Sequence, residues 1–144
     1  MCNNNENFVQ PSLKPEVFER LNLCVIPISL QLGNVTRFYD FLVDTGANKT
    51  VITTSAGREL GIVQQRTIIA SGVTQVSQGR SGRIDRLSIG EIFFPSLDIM
   101  INDLSAVFNN YRIDGILGSD VLKVTHLKIN YIAQLLEIAK QVIH

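Results

Sequence analysis

Asp44 stands where an apolar run, Phe41-Leu42-Val43, gives way to Thr45-Gly46-Ala47. An acid at the end of a buried run is costly unless hydrogen bonds hold it. Gly46 permits a sharp bend through which backbone N–H groups can approach the Asp44 carboxylate, and Thr45 brings a hydroxyl that can both donate and accept beneath it. Residues of these types in this order suit a rigid seat for a reactive carboxylate, the kind of group that serves as a general acid or base. Taken alone, the same four residues also suit an ordinary turn, because aspartate and glycine are common turn formers.

The other side chains with chemical potential are less well placed. Asp40, Asp85, Asp98, Asp103 and Asp120 are not followed by a hydroxyl residue and a glycine, and Asp114-Gly115 lacks the intervening hydroxyl and reads as a turn leading into Ile116-Leu117-Gly118. His126 and His144 stand apart from each other and from any cysteine or carboxylate at a metal-ligand spacing, so no metal site is expected. Ser71, Ser77 and Ser81 belong to no G-x-S-x-G elbow, and Cys24 has no evident histidine partner. Serine, cysteine and metal-dependent hydrolysis are therefore disfavoured.

Asp44 needs a frame, and the flanking sequence predicts one made of short strands. Ile26, Ile28, Leu30 and Leu32 alternate with Pro27, Ser29 and Gln31, the period of a half-buried strand. Gly33-Asn34 supplies a two-residue hairpin turn, and the return strand spans 35–43. After the Asp44 interruption, Val51-Ile52 resumes strand character, a short helix is expected over 54–60, and Gly61 suits its C-cap. Further strand signals fall at 63–70, 73–77, 83–89 and 96–101, with a terminal pair at 127–130 and 135–139. Ser119 is positioned to cap a short helix over the following residues. This pattern predicts a mainly β fold, a compact barrel or sandwich with one or two short helices. Residues 1–20, polar and carrying Pro11 and Pro15, are expected to form an N-terminal arm, with the folded domain spanning 21–144.

Composition narrows the function classes. The 144 residues suit one domain, and 45% of them are hydrophobic, enough for a substantial core. Thirteen basic residues balance thirteen acidic ones, which leaves no excess charge to follow a phosphate backbone or adhere to an anionic bilayer. No nucleic-acid or membrane partner is expected. Arg80, Arg83 and Arg86 could form a local basic edge, but on a strand they do not share one face, so they read as solvated edge charges. Cys2 and Cys24 make a poor disulfide framework, and the opening Met1-Cys2-Asn3-Asn4-Asn5 has neither the basic start nor the apolar stretch of a secretory signal. A soluble cytoplasmic protein is the expectation.

The ordered set of motifs resembles the retropepsin-like aspartic proteases over roughly residues 23–138. In that family an apolar strand delivers D-T-G-A, matched here by Asp44, Thr45, Gly46 and Ala47, and a later hydrophobic pair before glycine packs below the active-site loop, matched by Ile116, Leu117 and Gly118. A glycine-bearing hairpin covers the substrate as a flap, and the matching stretch contains Ser71, Gly72, Val73 and Thr74, with Leu87-Ser88-Ile89-Gly90 as the next strand and turn. The resemblance implies a closed β barrel of retropepsin type in which Asp44 is catalytic and Thr45 bonds across a dimer axis.

The chain carries one D-T-G, so the resemblance implies a homodimer that supplies the second Asp44 by two-fold symmetry. Two charges ~3 Å apart at an effective dielectric near ~20 repel by about 5 kcal/mol, so one proton is shared between them, an effect for which aspartic-protease dyads are the standard illustration. The implied activity is cleavage of a peptide or protein substrate by water activated between the two acids, with no cofactor. The alternative is a retropepsin-like dimer that binds peptides without cleaving them.

Overall fold

A computed structural model describes residues 7–63, 66–72 and 76–141. β1 (Val25–Leu32) and β2 (Val35–Val43) form the expected hairpin, with Leu32 opposite Val35 and Gly33 at φ +59° in the turn. The alternation in β1 places Ile26, Ile28 and Leu30 in the core with no exposure, while Pro27 faces outward. β3 (Val51–Ile52) follows the loop after β2, and α2 (Thr54–Leu60) occupies the residues the sequence predicts. Thr53 caps α2 by accepting the Ala56 N–H at 3.3 Å, and Gly61 ends it at φ +83°.

The remaining strands are β4 (Arg66–Ser71), β5 (Val76–Ile89), β6 (Ile92–Ile101), β7 (Gly115–Leu117), β8 (Thr125–Asn130) and β9 (Leu135–Lys140). Six strands close a barrel in the order β1-β2-β7-β3-β6-β5, because β5 pairs back onto β1 through Ser29–Ser88, Leu30–Leu87 and Gln31–Arg86. β4 is appended to the first half of β5, and β8–β9 form a separate antiparallel hairpin tied down by a bridge from Val9 to Ile138. The barrel interior is filled by Phe41, Ile84, Leu87, Ile99 and Leu117 among others, and Leu136 and Ile138 of β9 join the same core.

Three features differ from the sequence expectation. β5 is one strand of 14 residues where two were expected, since its glycines do not break it. A Cβ on Gly79 would lie 2.9 Å from the Ile101 carbonyl oxygen, and one on Gly82 would collide with Ile62, so both glycines serve close packing against neighbouring chain. Second, α1 (Pro15–Leu21) forms inside the segment read as polar, with Pro15 in its first turn, where a missing N–H costs nothing. Its Val17 and Phe18 are buried, contributing roughly 1.5–3 kcal/mol each. Third, α3 (Ala106–Asn110) adds a helix that was not anticipated, and α4 (Ser119–Leu122) is capped by Gly118, with Ser119 as its first residue and no side-chain cap. Among the described residues the helices therefore number four, all short.

Candidate active site

The end of β2 is fixed before the chain turns. β2 and β7 run parallel, with Phe41, Leu42 and Val43 opposite Gly115, Ile116 and Leu117, and the pairing continues one step as Asp44 N–H donates to the Leu117 carbonyl at 3.0 Å. A turn follows over Thr45 and Gly46, where the Gly46 N–H donates to Asp44 Oδ1 at 2.9 Å and the Ala47 N–H to the Asp44 carbonyl at 3.3 Å. The expected backbone seat for the carboxylate is thus formed by Gly46. Among the described residues Gly46 is the one donor to this half-buried side chain, which leaves the rest of its accepting capacity open.

Below the loop lies a buried polar brace. Thr50, 2% exposed, donates its hydroxyl to Asp120 Oδ1 at 2.7 Å and accepts the Gly118 N–H at 3.1 Å, while its own N–H donates to Asp120 Oδ2 at 3.0 Å. Val121 N–H completes the set on Asp120 Oδ1 at 3.0 Å, and Ser119 N–H donates to the Ala47 carbonyl at 2.7 Å. Gly118 is required by space, because a Cβ there would lie 2.6 Å from the Lys49 carbonyl group and 3.0 Å from the Ala47 oxygen. Ile116 and Leu117 are adjacent to this brace, with Leu117 fully buried in the main core and Ile116 packed against Val51, Ala70 and Met100.

Thr45 behaves differently from Thr50. Its side chain is exposed, and among the described residues its hydroxyl finds no partner. The hydroxyl under the loop belongs to Thr50, and neither Thr50 nor Asp120 was singled out from sequence as a brace. Their partnership spans 70 residues and leaves no local spacing to read.

Asp114 lies at the opposite end of the β2–β7 pairing. Its Oδ2 accepts the Asp40 N–H at 2.9 Å, its own N–H donates to the Asp40 carbonyl at 2.8 Å, and its carbonyl accepts from Thr53 at 2.9 Å. Burial pushes the Asp114 carboxyl above the usual carboxylate range, and the Asp40 N–H bond only partly offsets that. Lys14 bridges to Asp40 at 2.9 Å and closes this cluster. Asp114 and Asp120, the two acids flanking Ile116, Leu117 and Gly118, are both committed to holding backbone.

Of the residues matched to a flap, Ser71 ends β4 and Gly72 follows it, both exposed, while Val73 and Thr74 lie outside the described residues. Ser71 reaches the Asp44 loop through Asn48: its N–H donates to Asn48 Oδ1 at 2.8 Å, and the Asn48 N–H donates to the Ser71 carbonyl at 3.2 Å. Ser71, Gly46, Ala47 and Asp44 are thereby brought into one hydrogen-bonded neighbourhood. Of the basic strand residues, Arg83 pairs with Asp98 at 3.4 Å and Arg86 stacks 4.2 Å above the Phe93 ring centre; both are exposed, but the expected edge role does not hold, because β5 is paired on both sides at Arg80 and Arg86. Cys24 is buried, which pushes its thiol up and away from reactivity. No group of three or more metal-ligating side chains occurs among the described residues, and no helix among them is long and apolar enough to cross a membrane.

A family model described as aspartyl protease matches residues 15–121. A retropepsin-like aspartic protease from Rickettsia conorii is similar in structure with a TM-score of 0.57 and 18% identity, over 92% of this chain and 90% of that one. The retroviral protease-like domain of Ddi1 from Leishmania major is similar with a TM-score of 0.52 and 16% identity, over 83% of this chain and 94% of the other. At these identities the two structures show a shared retropepsin-like fold. No curated protein sequence matches the chain.

Proposed function

Because the chain belongs to the aspartyl protease family, we propose that it is an aspartic endopeptidase of the cytoplasm that works as a homodimer, with one Asp44 from each copy forming the catalytic pair. The observation that carries this reading is the Asp44 seat: a half-buried carboxylate held by the Gly46 N–H on a loop braced from below, with accepting capacity left open. Thr45 supports the dimeric form, since an exposed hydroxyl beside the reactive acid, without a partner among the described residues, suits a bond to the second copy. The exposed Tyr131 and Ile132 at the tip of the β8–β9 hairpin are apolar surface that a second chain could cover, and Ile132 is 99% exposed.

In this mechanism the two Asp44 side chains hold one water and one proton between them. The ionised acid takes a proton from the water, whose oxygen attacks the scissile carbonyl carbon, while the protonated acid hydrogen-bonds the carbonyl oxygen. Collapse of the tetrahedral species breaks the C–N bond, and the nitrogen leaves with a proton from the pair, so the two identical acids exchange roles. Ser71 and Gly72, with Val73 and Thr74, form the proposed substrate-covering flap, and Ile116, Leu117 and Gly118 support the site from below. Screening a quenched peptide library with the purified protein, beside Asp44→Asn, tests the assignment. Cleavage by the wild type alone supports it, and peptide binding without cleavage by either form would replace it with a binding module.

A further inference from the structure

One pair of contacts joins the floor of the site to the strand above it. Asn48, directly after Ala47, brackets Ser71 with its backbone N–H on one side and its side-chain oxygen on the other. β4 is the outermost strand of its sheet and pairs with β5 along its inner side only. In an antiparallel strand the N–H and C=O of one residue point the same way, so Ser71 presents both to the open edge, and Asn48 fills that edge for one residue as a further strand would. Both residues are exposed, so the bonds form in competition with water. The neighbouring Ala47 is already fixed through Ser119 and Asp44, so Asn48 ties the end of β4 to the rigid part of the loop.

We propose that Asn48 is a latch, a positioning residue whose amide holds the end of β4 against the Asp44 loop in the free protein. An extended peptide must break the Asn48–Ser71 pair to lie between the loop and the strand. The exchange is reversible because the peptide's own backbone offers Ser71 a replacement donor and acceptor. The role in substrate access rests on the proteolytic reading above, whereas the latch itself is a property of the free chain and is measurable without any substrate.

Asn48→Ala removes the side-chain acceptor at an exposed position where folding is not at stake, and Asn48→Asp keeps an acceptor at the same reach. Hydrogen exchange at the Ser71 amide, followed by NMR in the free protein, is expected to run about three- to tenfold faster in Asn48→Ala, the factor expected from loss of one exposed hydrogen bond. KM for a quenched fluorogenic peptide should fall by a similar factor with kcat unchanged, and Asn48→Asp should restore both values. Unchanged Ser71 exchange in Asn48→Ala would overturn the latch, and a KM that rises or stays the same would overturn its role in substrate access. If the wild type hydrolyses no peptide, the proteolytic reading fails, and Ser71 exchange still decides the latch.

Discussion

Asp44 and Asp114 bracket the same pair of strands, and each receives one backbone N–H at 2.9 Å, yet the two ends of β2–β7 do different work. At the Asp114 end the main chain is tied into the framework: Asp40 and Thr53 bond to Asp114, and Gly115 is pressed so close to Phe41 and Val51 that no side chain fits. At the Asp44 end the chain leaves the sheet at once, the carboxylate keeps free lone pairs, and the stiffness comes from the Thr50–Asp120 brace beneath. A single backbone bond to an aspartate therefore does not distinguish the acid proposed to be reactive from a structural one. The distinction lies in whether the acid is itself part of the frame or is mounted on it.

The contrast makes its largest prediction at Asp44. Asp44→Asn should reduce peptide hydrolysis about a thousandfold or more, with an unchanged thermal midpoint, because the amide keeps the shape and loses the base. Steady-state kinetics beside a melting curve checks it, and a wild-type rate would remove Asp44 from the chemistry. Thr50→Val comes next in size. It strips the Gly118 N–H and Asp120 of a buried partner, so unfolding in urea should show a loss of about 2–3 kcal/mol. An unaltered midpoint would mean that the loop is not braced from below.

The smallest effect belongs to Asp114→Asn, which keeps an acceptor for the Asp40 N–H and should spare most activity. The raised Asp114 value means that the folded chain holds this proton more tightly than the unfolded one. Its stabilising contribution is present below the ordinary carboxylate range and is lost as pH rises through the raised value. Thermal midpoints measured from acid to neutral pH should therefore show the wild type losing ground to Asp114→Asn as pH increases. Parallel curves for the two proteins would show that this carboxyl is not perturbed by burial.

Much of the frame was readable because it is local. The β1–β2 hairpin, α2 with its Gly61 cap and the β8–β9 pair each follow from periodicity and turn residues a few positions apart. Gly46 was readable as the hinge that turns an N–H toward Asp44, since that bond spans two residues. Thr50 and Asp120 were not, because a buried hydroxyl meeting an acid far along the chain has no spacing to betray it. Pro15 and Gly82 misled for a related reason: each is a breaker by composition, but one begins a helix and the other admits Ile62. Local chemistry could not show which neighbour each would meet.

On the proposed function, a reactive Asp44 needs a second Asp44, which makes the active species a dimer with one site per two chains. Sedimentation and peptide hydrolysis measured together across a dilution series test it. Below the dimer dissociation constant, activity should fall with roughly the square of chain concentration, and excess Asp44→Asn chain should suppress wild-type activity beyond dilution by forming mixed pairs. Full activity per chain at concentrations where only monomer sediments would contradict the shared site.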